Sequence, residues 1–153
     1  MLVDRLVYPV VLGRFSRDAT GRMSGAGPLP DVVAHEHAIR LPIPAVVREL
    51  VELLGARLVA YLGGVTETRT VRAWAAGTRA VRDPVVVVRL RLGLQLAAAL
   101  VAVEHDPAIV QAWFQGLNPE LDDRVPAQLL REGELATVGP ELLAAMRAFL
   151  VSG

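Results

Sequence analysis

Three places in the chain bring together residue types that do chemistry. His35 and His37 flank Glu36. Two imidazoles two residues apart on a strand could share a metal ion, but a stable site needs three or four protein ligands, and no third lies close in sequence. The simpler reading is a solvated polar segment. His105 precedes Asp106, which resembles part of a catalytic triad, and a triad also needs a nucleophile. The serines are Ser16, Ser24 and Ser152, all in segments that read as flexible, and there is no cysteine. A polar turn is therefore expected at His105. Asp122 and Asp123 are adjacent carboxylates. Neighbours in sequence tend to point apart, a poor arrangement for an acid–base pair. Their expected role is local: negative charge just before a helix contributes about 0.3–1 kcal/mol.

Other chemistries lack their residues. The sixteen basic side chains are all Arg, so neither a Schiff-base lysine nor a P-loop lysine exists. No GxGxxG, Walker A, HExxH, EF-hand or GxSxG pattern occurs. A non-enzymatic protein without cofactor or metal is expected. The absence of cysteine suits a reducing cytoplasm. The first residues, with Asp4 ahead of the apolar run and Pro9 inside it, do not read as a secretory signal. The longest apolar run, Leu92 to Val103, includes Gln95 and is shorter than the roughly twenty residues of a membrane span.

Charge is divided along a chain whose formal net charge is zero. Residues 48–91 carry eight Arg against Glu49, Glu52, Glu67 and Asp83. Residues 104–153 carry three Arg against eight acids. A basic middle and an acidic end suit a nucleic-acid face and a separate partner face, although solvated surface gives the same count.

The elements that must position these charges are helical after residue 41. Residues 1–41 read as an irregular arm that gains shape only on another surface, with Val7–Leu12 as one short strand and Ser16–Pro30 as loop. A start at Met23 is an alternative reading of this region. Val46, Val47, Leu50, Val51, Leu53 and Leu54 mark one buried helix face. Leu58 to Gly77 reads as helix, Gly63-Gly64 turn, and a second helix capped by Thr66 and ended by Gly77. Val65, Val71 and Trp74 are spaced for the core, with Thr68, Arg69 and Arg72 opposite and Arg79 and Arg82 following. Val85–Glu104 is one long helix with Arg89 and Arg91 in its first turns and apolar nearly all round from Leu92, a spine that could also line a dimer interface. Ile109, Val110, Trp113, Phe114 and Leu117 form the apolar stripe of the next helix. Asn118-Pro119 stops it, Pro126 opens a short helix that Gly133 ends, and Gly139-Pro140 restarts the helical tail.

The stretch from Ala112 to Gly133 resembles the C-terminal toxin-binding domain of the Xre/MbcA/ParS antitoxin family, at Trp113, Asn118, Pro119, Leu121, Pro126, Leu130 and Gly133. Val71–Pro84 is similar to the end of an Xre-type recognition helix, with Val71, Trp74, Gly77 and Pro84 in place, although Arg57 and Tyr61 stand where Xre domains commonly have Gln. The resemblance spans about residues 44 to 150. It implies an all-α fold: an Xre-like helix-turn-helix (42–91) joined by the long buried helix to a small C-terminal toxin-binding domain (92–153), preceded by the irregular arm. It also implies a homodimer that covers the NAD-binding cleft of a RES-type toxin and represses its own operon. DNA contact would then fall to Thr66, Thr68, Arg69, Arg72, Arg79 and Arg82. Toxin contact would fall to Asn118, Glu120, Asp122, Arg124, Leu129, Leu130, Arg131 and Glu132. The alternatives are a helix-turn-helix regulator without a toxin, and an interaction module that has lost DNA binding.

Overall fold

The computed structural model describes residues 15–17, 19–20, 23–25 and 30–152. Among the described residues the chain is helical apart from one hairpin. Its elements are β1 (Phe15–Arg17), β2 (Met23–Gly25), α1 (Pro30–Arg40), α2 (Ile43–Leu54), α3 (Ala56–Gly63), α4 (Thr68–Ala76), α5 (Pro84–Glu104), α6 (Pro107–Gln115), a 3-10 turn (Pro119–Leu121), α7 (Pro126–Glu132) and α8 (Leu135–Ser152).

Helix α5 is the hub. Asp83 accepts from the Val85 N–H at its start, and Pro84 takes the first position, where no N–H is needed. His105, with φ of 58°, ends it. α1, α2, α3, α6, α7 and α8 all pack on α5, and every residue from Gly93 to Val103 is buried. Length and composition alone would let α5 and α8 cross a membrane. The apolar surface of α5 from Gly93 to Val103 is instead enclosed by its own chain, which removes the need for a polar stripe there. Gly93 marks the meeting point of the two halves: a Cβ there would stand 3.5 Å from Leu130, 3.7 Å from Leu62 and 3.8 Å from Leu50. One core therefore joins α2 and α3 to α7.

The N-terminal region departs from the expected arm. Residues 30–40 form a helix whose Ala34 and Ala38 are buried against the core. Asp31 pairs with Arg147 Nε of α8 at 2.6 Å. Successive helical residues are turned by about 100°, so His35 and His37 diverge rather than converge on a metal. His35 Nδ1 lies 3.2 Å from Gln95 Oε1, which gives the one polar residue of the buried spine its partner. His37 Nε2 lies 2.7 Å from Glu49 Oε2. Ahead of α1, antiparallel pairing sets Phe15 opposite Gly25 and Arg17 opposite Met23, within the stretch expected to be loop. The strand expected at Val7–Leu12 lies outside the described residues.

Long polar side chains close the C-terminal ends of the first four helices. The last carbonyls of a helix have no partner within it and carry its negative dipole end. Arg91 Nη1 donates to the Ala38 and Leu41 carbonyls at the end of α1, both at 2.7 Å. Gln111 Nε2 donates to Leu53 of α2, Arg89 Nη1 to Leu62 of α3, and Arg48 Nη1 to Ala75 of α4. Three arginines of the basic middle thus hold helix ends together.

Two expected boundaries shift. Glu67, not Thr66, takes the cap position of α4, in extended conformation and without a side-chain bond to the helix. The tail is one helix from Leu135 to Ser152 rather than two. Pro140 removes one bond to the Ala136 carbonyl, and Ala136 is exposed, so water can satisfy that group.

Candidate functional site

The turn from Asn118 to Arg124 is built by its backbone. Asn118 Oδ1 accepts from the Glu120 N–H, its carbonyl accepts from Leu121 and Asp123, and its own N–H donates to the Arg124 carbonyl. Asp122 and Asp123 both take left-handed conformation, with φ of 55° and 59°. Aspartate tolerates this better than most residues, yet it carries strain. Arg124 braces the turn from below, donating to the Leu121 carbonyl at 2.8 Å and to Glu141 of α8 at 3.1 Å. The result is a rigid loop that holds Glu120, Asp122 and Asp123 exposed to solvent.

The residues expected to meet a partner separate into two groups. Asn118 and Leu130 are buried, and Leu130 is fully enclosed. Leu129 is half-buried against the core. Arg124 is engaged as described. Arg131 lies over the Tyr61 ring at 4.4 Å, tying α7 to α3 through a cation–π contact. These five hold the fold. Glu120, Asp122 and Glu132 are exposed.

Sequence periodicity missed the apolar part of this surface. Leu117 was expected on the buried stripe of α6 but is 72% exposed, because α6 ends at Gln115 and the chain turns outward at Gly116. With Ile109, Trp113, Glu120 and Phe149 it lines a groove of about 460 Å³ between α6, the turn and α8. Trp113 stands edge-on to Phe114, centroids 5.3 Å apart. It is buried as expected, and its Nε1 is a buried donor with no acceptor among the described residues.

The basic candidates fall in two places. Thr68 and Arg72 share a shallow depression with Arg57, which the sequence reading did not assign. Arg79 and Arg82 line a different depression, beside Trp74 and Val86. Arg69 pairs with Glu67 on the exposed side of α4, and Thr66 is exposed in the turn before it. Trp74 is buried as expected and rests on Gly63, where a Cβ would stand 2.6 Å from the indole. That contact sets how closely α4 approaches α3 across the 64–67 turn. His105 and Asp106 make a turn, Asp106 accepting from the Ala108 N–H at the start of α6. No group of three potential metal-ligating side chains occurs among the described residues.

Comparison of the chain with protein-family models, with curated proteins and with solved structures gives no match.

Proposed function

We propose that the protein is an antitoxin-like binding protein whose C-terminal turn docks on a partner protein, a RES-type toxin by the family resemblance. The observation that carries this reading is a rigid turn presenting Glu120, Asp122 and Asp123 beside an open apolar groove. The resembling residues support it through their physical roles. Trp113, Leu121, Pro126 and Leu130 are buried, Asn118 closes the turn and Pro119 starts the 3-10 helix. At Gly133 a Cβ would meet the Leu129 carbonyl at 2.6 Å. Such a frame fixes the turn and leaves its carboxylates free to meet a cationic cleft. The protein acts by binding, in the cytoplasm, without catalysis. Co-expression with the product of the adjacent gene tests this: a stable complex and loss of that product's NAD-consuming activity are expected, and a RES-type neighbour that fails to bind overturns the reading.

A second reading, DNA binding by α3 and α4 acting as a helix-turn-helix, is favoured by Arg57 and Arg72 lining one depression with Thr68, the first residue of α4. A helix N-terminus flanked by guanidinium groups suits a phosphate. The two readings are compatible in one protein that represses its own operon, as a homodimer on its operator. Titration of upstream DNA at several salt concentrations tests it, and absence of binding at low salt overturns it.

A further inference from the structure

We propose that the groove beside Leu117 receives a partner segment that inserts one bulky apolar side chain and carries Lys or Arg on its flanks. This rests on the partner-docking reading above and specifies the chemistry of the partner.

Two independent features carry the inference. The first is apolar. Leu117 projects from the turn with most of its surface in water, and Ile109 and Val151 are also exposed. Leu117 and Ile109 stand at the groove lined further by Trp113 and Phe149. The volume of about 460 Å³ admits a large side chain with part of its backbone. The second is charge. Arg124 is taken by Glu141, Arg147 by Asp31 and Arg131 by the Tyr61 ring. These are the three cations of the acidic C-terminal region. None is left for Glu120, Asp122 or Asp123, whose carboxylates have no hydrogen-bond or ion-pair partner among the described residues. Glu120 lies on the groove itself, and the two aspartates follow in the same turn. An apolar slot rimmed by uncompensated carboxylates complements an apolar anchor flanked by cations, and disfavours an acidic or purely apolar segment.

A fluorescent, amidated amphipathic peptide of leucine and lysine is the probe, with its leucine–glutamate counterpart as comparison. Binding to the full chain is read by anisotropy. The lysine peptide is expected to bind, and the glutamate peptide at least about tenfold more weakly. Leu117→Arg, and separately the combined Glu120→Gln, Asp122→Asn and Asp123→Asn variant, are each expected to weaken the lysine peptide by at least about tenfold. Val88→Arg makes the same charge change on a different exposed apolar residue and is expected to leave binding unchanged. Circular dichroism checks that each variant is folded, and Leu117→Ser replaces Leu117→Arg if that variant is not. Failure of the lysine peptide to bind, or equal binding by the Leu117 variant, overturns the proposal. If the lysine peptide binds as expected but the adjacent gene product does not co-purify, the antitoxin reading falls and the groove's preference stands. If that product co-purifies equally well with Leu117→Arg, the groove proposal falls and the antitoxin reading stands.

Discussion

Arg48 donates through Nη1 to the carbonyl of Ala75 at 2.8 Å, so an arginine of α2 closes the end of α4. Arg89 and Arg91 do the same for α3 and α1. Three of the eight arginines between residues 48 and 91 are thus committed to intramolecular bonds. The basic surface that remains is smaller than the charge count suggests. It centres on Arg57, Arg69, Arg72, Arg79 and Arg82.

Arg91 is the strongest of these braces, with two 2.7 Å bonds to carbonyls of one helix end. Arg91→Ala leaves both carbonyls unmet where α1 joins the core. Hydrogen bonds from charged groups contribute about 1.5–3 kcal/mol each, so the loss of stability in urea denaturation is expected to reach at least the lower figure. Arg82→Ala, at an exposed position, is expected to stay within about 0.5 kcal/mol of the parent. Equal stability of the two variants would show that the brace contributes nothing.

Gly63 and Trp74 are packed too closely for any side chain at residue 63. In Gly63→Ala the new Cβ would sit 2.6 Å from the indole, so α4 must shift or the ring must turn. Overpacking of this kind costs about 1–3 kcal/mol. In a double-mutant cycle with Trp74→Leu, the alanine is expected to cost markedly less than in the parent. Additive effects in that cycle would place the strain elsewhere.

Much of the helical frame was legible because burial writes a period into the sequence. The stripe of α2, the apolar C-terminal half of α5, the Gly77 stop and the Pro126 start all appear as expected. The departures have physical causes that periodicity does not carry. Residues 30–40 show a weak apolar pattern because α1 buries small alanines and is held by polar bonds from Asp31, His35 and His37 to distant partners. Leu117 fits a helical stripe by spacing but lies beyond the helix end. Asn118, Arg124 and Arg131 read as exposed polar residues, yet each is engaged by a tertiary contact or a turn bond.

Leu130 and Glu120 separate folding from binding on this surface. Leu130 is fully buried beside Gly93, and Leu130→Ala is expected to cost about 2–5 kcal/mol in chemical denaturation. Glu120 is exposed, and Glu120→Ala is expected to change stability by less than about 0.5 kcal/mol. Pull-down by the partner is expected to weaken for Glu120→Ala with the fold intact. A large stability loss in Glu120→Ala would place that carboxylate in the fold.

Under the DNA-binding reading, Arg57→Ala and Arg72→Ala are each expected to lower the slope of log affinity against log salt by about 1, the mark of one lost phosphate contact. Arg48 is exposed but bonded to Ala75, and Arg48→Ala is expected to lower stability while leaving that slope unchanged. A slope that responds to Arg48 and not to Arg72 would put the nucleic acid on another face.

Asp122 tests whether the left-handed turn exists to display its carboxylate. Its φ of 55° is accessible to glycine without strain, whereas left-handed backbone costs most other residues about 1–2 kcal/mol. Its N–H bond to the Pro119 carbonyl is made by the backbone and survives any substitution except proline. Asp122→Gly is therefore expected to keep or slightly raise thermal stability, while Asp122→Val lowers it. Both remove the carboxylate and are expected to weaken partner binding alike. Binding loss that tracks stability, with Asp122→Gly still binding as the parent does, would mean that the turn's shape rather than its charge is what the partner meets.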